Sequence, residues 1–239
     1  MEYVMKNPEI TKIQIRRPIF VLSPARCGST LTFNLLAQDP RTRAPLPWEM
    51  GVSVPTVTPP PTGPKDPRAK LANEQFAKVD LVMPEFASGI RASHNFNMSW
   101  PEECYFVFLH QLDQAVNGAA FEDLEFYDWT LSDKNREFLY KYHLRYLQML
   151  SSGYAPESHW TMKSPLHAGY IETLTKFYPD AFFVVAHRSP PPLLPNFRQR
   201  FAHLVTSNSE IRLNWLARLQ NWSSFRWLTS RRRTLSRKG

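Results

Sequence analysis

A short apolar run, IFVL at residues 19–22, passes directly into SPARCGST, Ser23 to Thr30, and then into LTFNLLAQ. Within eight residues the pattern changes from that of a buried strand to that of a helix, so the chain must turn sharply at a strand's carboxyl end. Ser23, Ala25, Gly28 and Ser29 are small enough to let a ligand approach the backbone. The helix that follows points its free N–H groups and positive dipole end into the turn. Such a turn is an anion site, with phosphate as its natural occupant. It is not a Walker loop, because Ser23 stands at the first glycine of G-x-x-x-x-G-K-[ST] and Ser29 at the lysine. Arg26 supplies the charge from inside the loop instead. The hydroxyls of Ser29 and Thr30 either bond the same anion or cap the helix.

The rest of the chain repeats the alternation of strand and helix. A helix from Thr30 to Gln38 is expected to end near Asp39-Pro40. Pro45 to Arg68 is too rich in proline for a helix or a central strand and is expected as an extended surface crossing. Further helices are predicted over 69–82 and after Ser99-Trp100-Pro101, where Ser99 is a candidate cap and Glu102 and Glu103 fall in the first turn. Between Asp133 and Leu150, residues Phe138, Leu139, Tyr142, Tyr146, Leu147 and Leu150 recur at helical spacing and form a core-facing stripe. HWTMKSP then predicts a strand at 160–162 with Lys163 at its carboxyl end, and a helix over about 168–177. AFFVVAHRS predicts a last strand over 181–186 with Arg188 just past it. This order is that of an α/β fold with a parallel sheet, in which ligands bind beyond the carboxyl ends of the strands.

With 239 residues, 43% of them hydrophobic, the chain can bury one sizeable core. Its two cysteines, Cys27 and Cys104, fit a reducing compartment and exclude a disulfide framework or a four-cysteine metal site. The N-terminus has mixed charge, and no run of about 18 apolar residues occurs, so a soluble, cytoplasmic protein is expected. Charge is uneven: residues 1–187 carry 18 Lys and Arg against 20 Asp and Glu, and residues 188–239 carry 11 against 1. The basic tail is either a contact for nucleic acid or an anionic surface, or a solubilising segment with no specific partner.

The ordered motifs PARCGST, WPEE, WTMKSPLH and YPDAFFVVAHRSP resemble those of the sulfotransferases that use 3′-phosphoadenosine 5′-phosphosulfate (PAPS), especially the broad bacterial-type family. The resemblance spans roughly residues 16–190. It implies a three-layer α/β fold, a P-loop-like parallel sheet flanked by helices, and transfer of a sulfuryl group to a hydroxyl or amine acceptor. It also implies roles for particular residues. The loop Arg26, Cys27, Gly28, Ser29 and Thr30 would hold the 5′-phosphosulfate end, Arg188 the 3′-phosphate, and Lys163 would stand near the transferring group. No metal is required, since arginine, lysine and backbone N–H groups neutralise the developing charge.

An acceptor hydroxyl also needs a base. Glu49 lies 23 residues after Arg26, close to where the similar tyrosylprotein sulfotransferases carry a catalytic glutamate; it reads equally as a helix-start or surface carboxylate. His167 is the rival, because cytosolic sulfotransferases place a histidine shortly after the matching lysine, although it also suits the opening of the next helix. His94 is a third choice. Trp48, Phe96 and Trp100 either wall an acceptor pocket or belong to the core. The family pattern continues past the arginine as D-P-x-E and a helix carrying a phosphate-binding serine. Here SPPPLLPN follows instead, and Asn196 occupies the serine's place. The chain therefore divides into a sulfotransferase-like domain, 1–189, and an atypical basic segment, 190–239, with an amphipathic basic helix expected over 209–227. A catalytically silent, truncated relative that binds an acidic partner through its tail is the alternative. A nucleotide kinase is disfavoured by the missing loop lysine.

Overall fold

The protein is described by a computed structural model covering residues 2–23, 27–51, 53, 66–82, 84, 88, 96–111 and 124–186. Among the described residues the helices are α1 (Glu2–Lys6), α2 (Ser29–Leu36), α3 (Pro47–Gly51), α4 (Pro67–Val82), α5 (Tyr105–Leu109), α6 (Leu124–Thr130), α7 (Asp133–Gly153) and α8 (Ile171–Phe177). Short 3-10 turns occupy Pro8–Lys12 and Pro165–Gly169. Strands β1 (Ile19–Leu22), β2 (Thr161–Lys163) and β3 (Phe182–Val185) form a parallel sheet in the order β2-β1-β3.

The strand first in sequence is thus in the middle of the sheet, and the chain adds one neighbour on each side. The connection after β1 runs to one side of the sheet and the connection after β2 crosses to the other, and such a reversal is where open α/β sheets bind ligands. Register fixes what lies at that edge. Val21 is opposite Lys163 on one side and Val184 on the other, and Leu22 is opposite Val185. The end of β1, Lys163 and the end of β3 therefore share one rim.

Alternation along β1 sends Phe20 and Leu22 to the face opposite Val21. The Phe20 ring meets the edge of His167 at 5.1 Å and Tyr178 at 5.3 Å. Behind that layer lies α7, which begins at Ser132, whose side chain accepts from the Asn135 N–H. It buries Leu139, Tyr140, Tyr146, Leu147 and Leu150. Each such side chain contributes about 1.5–3 kcal/mol through its removal from water. The expected stripe is rotated slightly, since Phe138 is 54% exposed. Two polar residues take the seam positions instead. Arg136 donates to the Thr130 carbonyl and lies over Tyr170, and His143 Nδ1 meets the Tyr178 hydroxyl at 2.7 Å. A count of apolar residues does not register polar side chains that find partners in the core.

Two further expectations are corrected. Pro45 to Arg68 is not extended throughout, because Pro47 opens the one-and-a-half-turn helix α3, with proline's missing N–H at a position where no helical partner is needed. The helix after Ser99 begins at Tyr105, so Glu102 and Glu103 precede it. The Glu102 and Cys104 N–H groups bond instead to the carbonyls of Pro45 and Lys163, an extended path that crosses the end of β2. Among the described residues no helix is long and apolar enough to cross a membrane. The expected helix at 209–227 and the whole of 190–239 lie outside the described residues.

Candidate functional site at the carboxyl rim of the sheet

The turn after β1 reaches α2 through Gly28, which stands at the cap position with φ of 88°. That is the left-handed region in which an L side chain is strained. Among the described residues, a Cβ added at Gly28 meets nothing within 4 Å, which leaves the backbone there room for a ligand. The Gly28 carbonyl accepts from the Thr32 N–H at 3.1 Å and from its hydroxyl at 3.3 Å, closing the first turn. The N–H groups ahead of that turn have no helical acceptors and point back at the rim. Cys27 is partly buried and Thr30 is exposed. Ser23, just past the end of β1, is 2% exposed, and among the described residues its hydroxyl has no hydrogen-bond partner. Arg26, expected to supply charge to the loop, lies outside the described residues.

Lys163 closes the rim from β2. Its side chain is 3% exposed, and Nζ donates to Thr30 Oγ1 at 3.3 Å and to Glu103 Oε1. A buried ammonium thus stands beside the first turn of α2, between a hydroxyl and a carboxylate. Glu103, for which the sequence predicts only a place in a helix's first turn, is thus a member of the site. Its signal was the spacing of WPEE, which placed it in a helix; the later helix start turns it toward Lys163.

The two candidate bases are placed elsewhere. Glu49 on α3 is 1% exposed and forms an ion pair with Arg43 Nη2, itself 5% exposed. The same guanidinium donates to the carbonyls of Leu150, at 3.0 Å, and Tyr154, and lies 4.6 Å from the Trp160 ring centre. Burial pushes the Glu49 carboxyl up and the Arg43 guanidinium down, and their attraction opposes both. Among the described residues, Glu49 Oε2 has no hydrogen-bond partner. This carboxylate clamps α3 to the carboxyl end of α7.

His167 sits in the 3-10 turn after β2, wholly buried. Its Nε2 is 2.9 Å from Cys104 Sγ and its Nδ1 is 2.8 Å from the Tyr140 hydroxyl. Burial first, then its neighbours His143 and Arg136, neither of which tolerates a second positive charge beside it, hold it well below the ordinary histidine range, so it is neutral at pH 7. The Cys104 thiol, which burial pushes up, also lies 3.4 Å from the Lys163 carbonyl oxygen. His167 therefore supports the backbone of Lys163 from behind and does not open onto the rim.

The structure brings Thr30, Lys163 and Glu103 into contact, and among the described residues it brings neither Glu49 nor His167 to them. Arg188, Asn196 and His94 lie outside the described residues. Of the proposed aromatic wall, Trp48 is 1% exposed beneath Arg68, Phe96 packs on Phe76 and Phe106, and Trp100 is 49% exposed. A cavity of about 550 Å³ lies instead between α1, α3 and α7, lined by residues that include Tyr3, Met50, Ser53, His110 and Tyr146.

The comparisons agree with this architecture. Sulfotransferase STF9 from Mycobacterium avium is 25% identical, with a TM-score of 0.77 over 97% of this chain and 60% of that one. Sulfotransferase STF1 from Mycobacterium tuberculosis H37Rv is 23% identical, with a TM-score of 0.71 over 96% of this chain and 62% of that one. The chain thus spans about three fifths of the length of these two structures. No curated protein matches it. The sulfotransferase family model matches residues 18–236, past residue 190 where the motif resemblance stops. A parallel sheet with helices on it, an open glycine turn and a lysine at the rim thus coincide with a match over most of the sequence, and the chain belongs to the sulfotransferase family.

Proposed function

We propose that this chain transfers a sulfuryl group from PAPS to a hydroxyl or amine acceptor, and that it does so in the cytoplasm, where its two free cysteines stay reduced. The observation that carries the reading is Lys163, a buried ammonium in contact with Thr30 at the first turn of α2, beside a glycine turn whose backbone is open. The residues present fit a phosphosulfate. The N–H groups after Gly28, the Thr30 hydroxyl and Lys163 share one rim, with the Ser23 hydroxyl, which has no partner among the described residues, at the end of the neighbouring strand, and all are donors suited to anionic oxygens. When bound, PAPS supplies an activated sulfuryl group on a bisphosphate leaving group.

In this reading the Gly28–Thr30 backbone and the Ser29 and Thr30 hydroxyls bind the 5′ end, with Arg26 adding charge. Lys163 neutralises the oxygen on which charge develops, and its burial makes that interaction stronger than it is in water. Arg188 and Asn196 bind the 3′-phosphate. Glu49 serves as a clamp for α3, and His167 as a support for Lys163.

Calorimetry of the full chain with 3′,5′-adenosine bisphosphate and with 5′-AMP tests the proposal. Tight binding that depends on the 3′-phosphate is the expected result, and Arg188→Ala abolishes that dependence while sparing adenosine 5′-phosphosulfate. Absence of bisphosphate binding by a folded sample would overturn the donor assignment and favour a binding role for the basic tail.

A further inference from the structure

Glu103 has no part in binding an anionic donor, yet it is built into the place where the anion would end. Three successive residues fix it. The Glu102 N–H donates to the Pro45 carbonyl at 2.9 Å, the Glu103 N–H to Glu102 Oε1 at 2.7 Å, and the Cys104 N–H to the Lys163 carbonyl at 3.1 Å. Cys104 is then anchored to the buried His167. The Glu103 carboxylate is thereby delivered to Lys163 Nζ, with its side chain 21% exposed where that of Lys163 is 3% exposed. The pair differs from Lys176 with Glu137, whose side chains are 60% and 47% exposed and lie in water.

The consequence is electrostatic. A buried lysine alone would offer a full positive charge to whatever lies beside Thr30, and would favour the most highly charged anion. With Glu103 in contact, the pair is nearly neutral, and an arriving group meets the ammonium together with a fixed negative charge. A sulfuryl end carries one negative charge, whereas a terminal phosphoryl group carries about 1.5 to 2 at pH 7. The additional charge is repelled by the carboxylate in a partly desolvated site.

We propose that Glu103 is a specificity-determining residue that, by sharing Lys163, admits a singly charged sulfuryl end and discriminates against a doubly charged phosphoryl end on the same nucleotide. The inference rests on the donor reading above. It needs a carboxylate at the site, which phosphate binding alone does not.

Calorimetry at pH 8 on the full chain measures affinity for PAPS and for 3′-phosphoadenosine 5′-diphosphate, in which a phosphoryl group replaces the sulfuryl group. The wild type prefers PAPS. Glu103→Gln lowers that preference about tenfold by gaining more affinity for the phosphoryl ligand, and Glu103→Asp restores it. Lys163→Met, which leaves the carboxylate without its cation, raises the preference. An unchanged ratio in folded Glu103→Gln overturns the inference, and if that variant does not fold, an unchanged ratio in Lys163→Met does so. Failure of both ligands to bind the wild type overturns the donor reading itself, and this inference with it.

Discussion

Replacing Arg43 by methionine removes the cation that accompanies Glu49 into the interior. Arg43 is 5% and Glu49 1% exposed, so water does not take the lost partner's place. Breaking a buried pair from one side costs about 3–5 kcal/mol, because an uncompensated charge or a shifted protonation remains. The Leu150 and Tyr154 carbonyls also lose donors, although Leu150 keeps the Tyr154 N–H at 3.2 Å. Against a total stability of about 5–15 kcal/mol, a loss of about 4 is large. It corresponds to a melting temperature lower by about 8–16 °C for a chain of this size. Removing both charges in Arg43→Met with Glu49→Leu recovers most of the loss, since apolar replacements of a buried pair are near neutral or better. Urea unfolding followed by tryptophan fluorescence at pH 7.5 measures all three proteins. A single variant that costs under about 1 kcal/mol would refute the burial of the pair. A double variant no more stable than the single would show that packing of the guanidinium on Trp160, not charge, is what Arg43 supplies.

Two further outcomes are expected. Gly28→Ala destabilises the chain by about 1 kcal/mol, from the positive φ, since among the described residues the new Cβ meets no atom, and a neutral result in the same urea assay would show that the turn relaxes. His143 is held by burial at about 3, below its ordinary 6.5, so the unfolded chain takes up a proton that the folded one refuses. Stability from this group is therefore complete above pH 6.5 and falls as pH drops toward 3, by about 2 kcal/mol at pH 5. The dependence between pH 7.5 and 5 should flatten by that amount in His143→Gln, and equal slopes in the two proteins would exclude the buried neutral state.

The bases show why a motif locates a residue more readily than it assigns a role. Glu49 and His167 were legible as candidates because each stands at a spacing from the loop or the lysine that resembles that of related enzymes. Whether a carboxylate is available depends on what approaches it from elsewhere, and Arg43 reaches Glu49 only because β2 and the end of α7 bring Trp160, Leu150 and Tyr154 to the same place. His167 is likewise withdrawn by Cys104 and Tyr140, which lie 63 and 27 residues away in sequence. Glu103 shows the converse. Its helical assignment was a local argument from Ser99 and proline, and the bonds that overrode it run to Pro45 and Lys163.

By itself, the sequence determined the local events: an apolar run that must be a strand, a glycine that permits the turn, a helix whose first turn faces it, and a lysine at the end of a second strand. These follow from steric preference and periodicity within a few residues. Only the tertiary structure decided the order β2-β1-β3, which places Lys163 beside Thr30, and which carboxylate the lysine would meet. That choice depends on desolvation and on long-range hydrogen bonds, and neither is a property of any short stretch of chain.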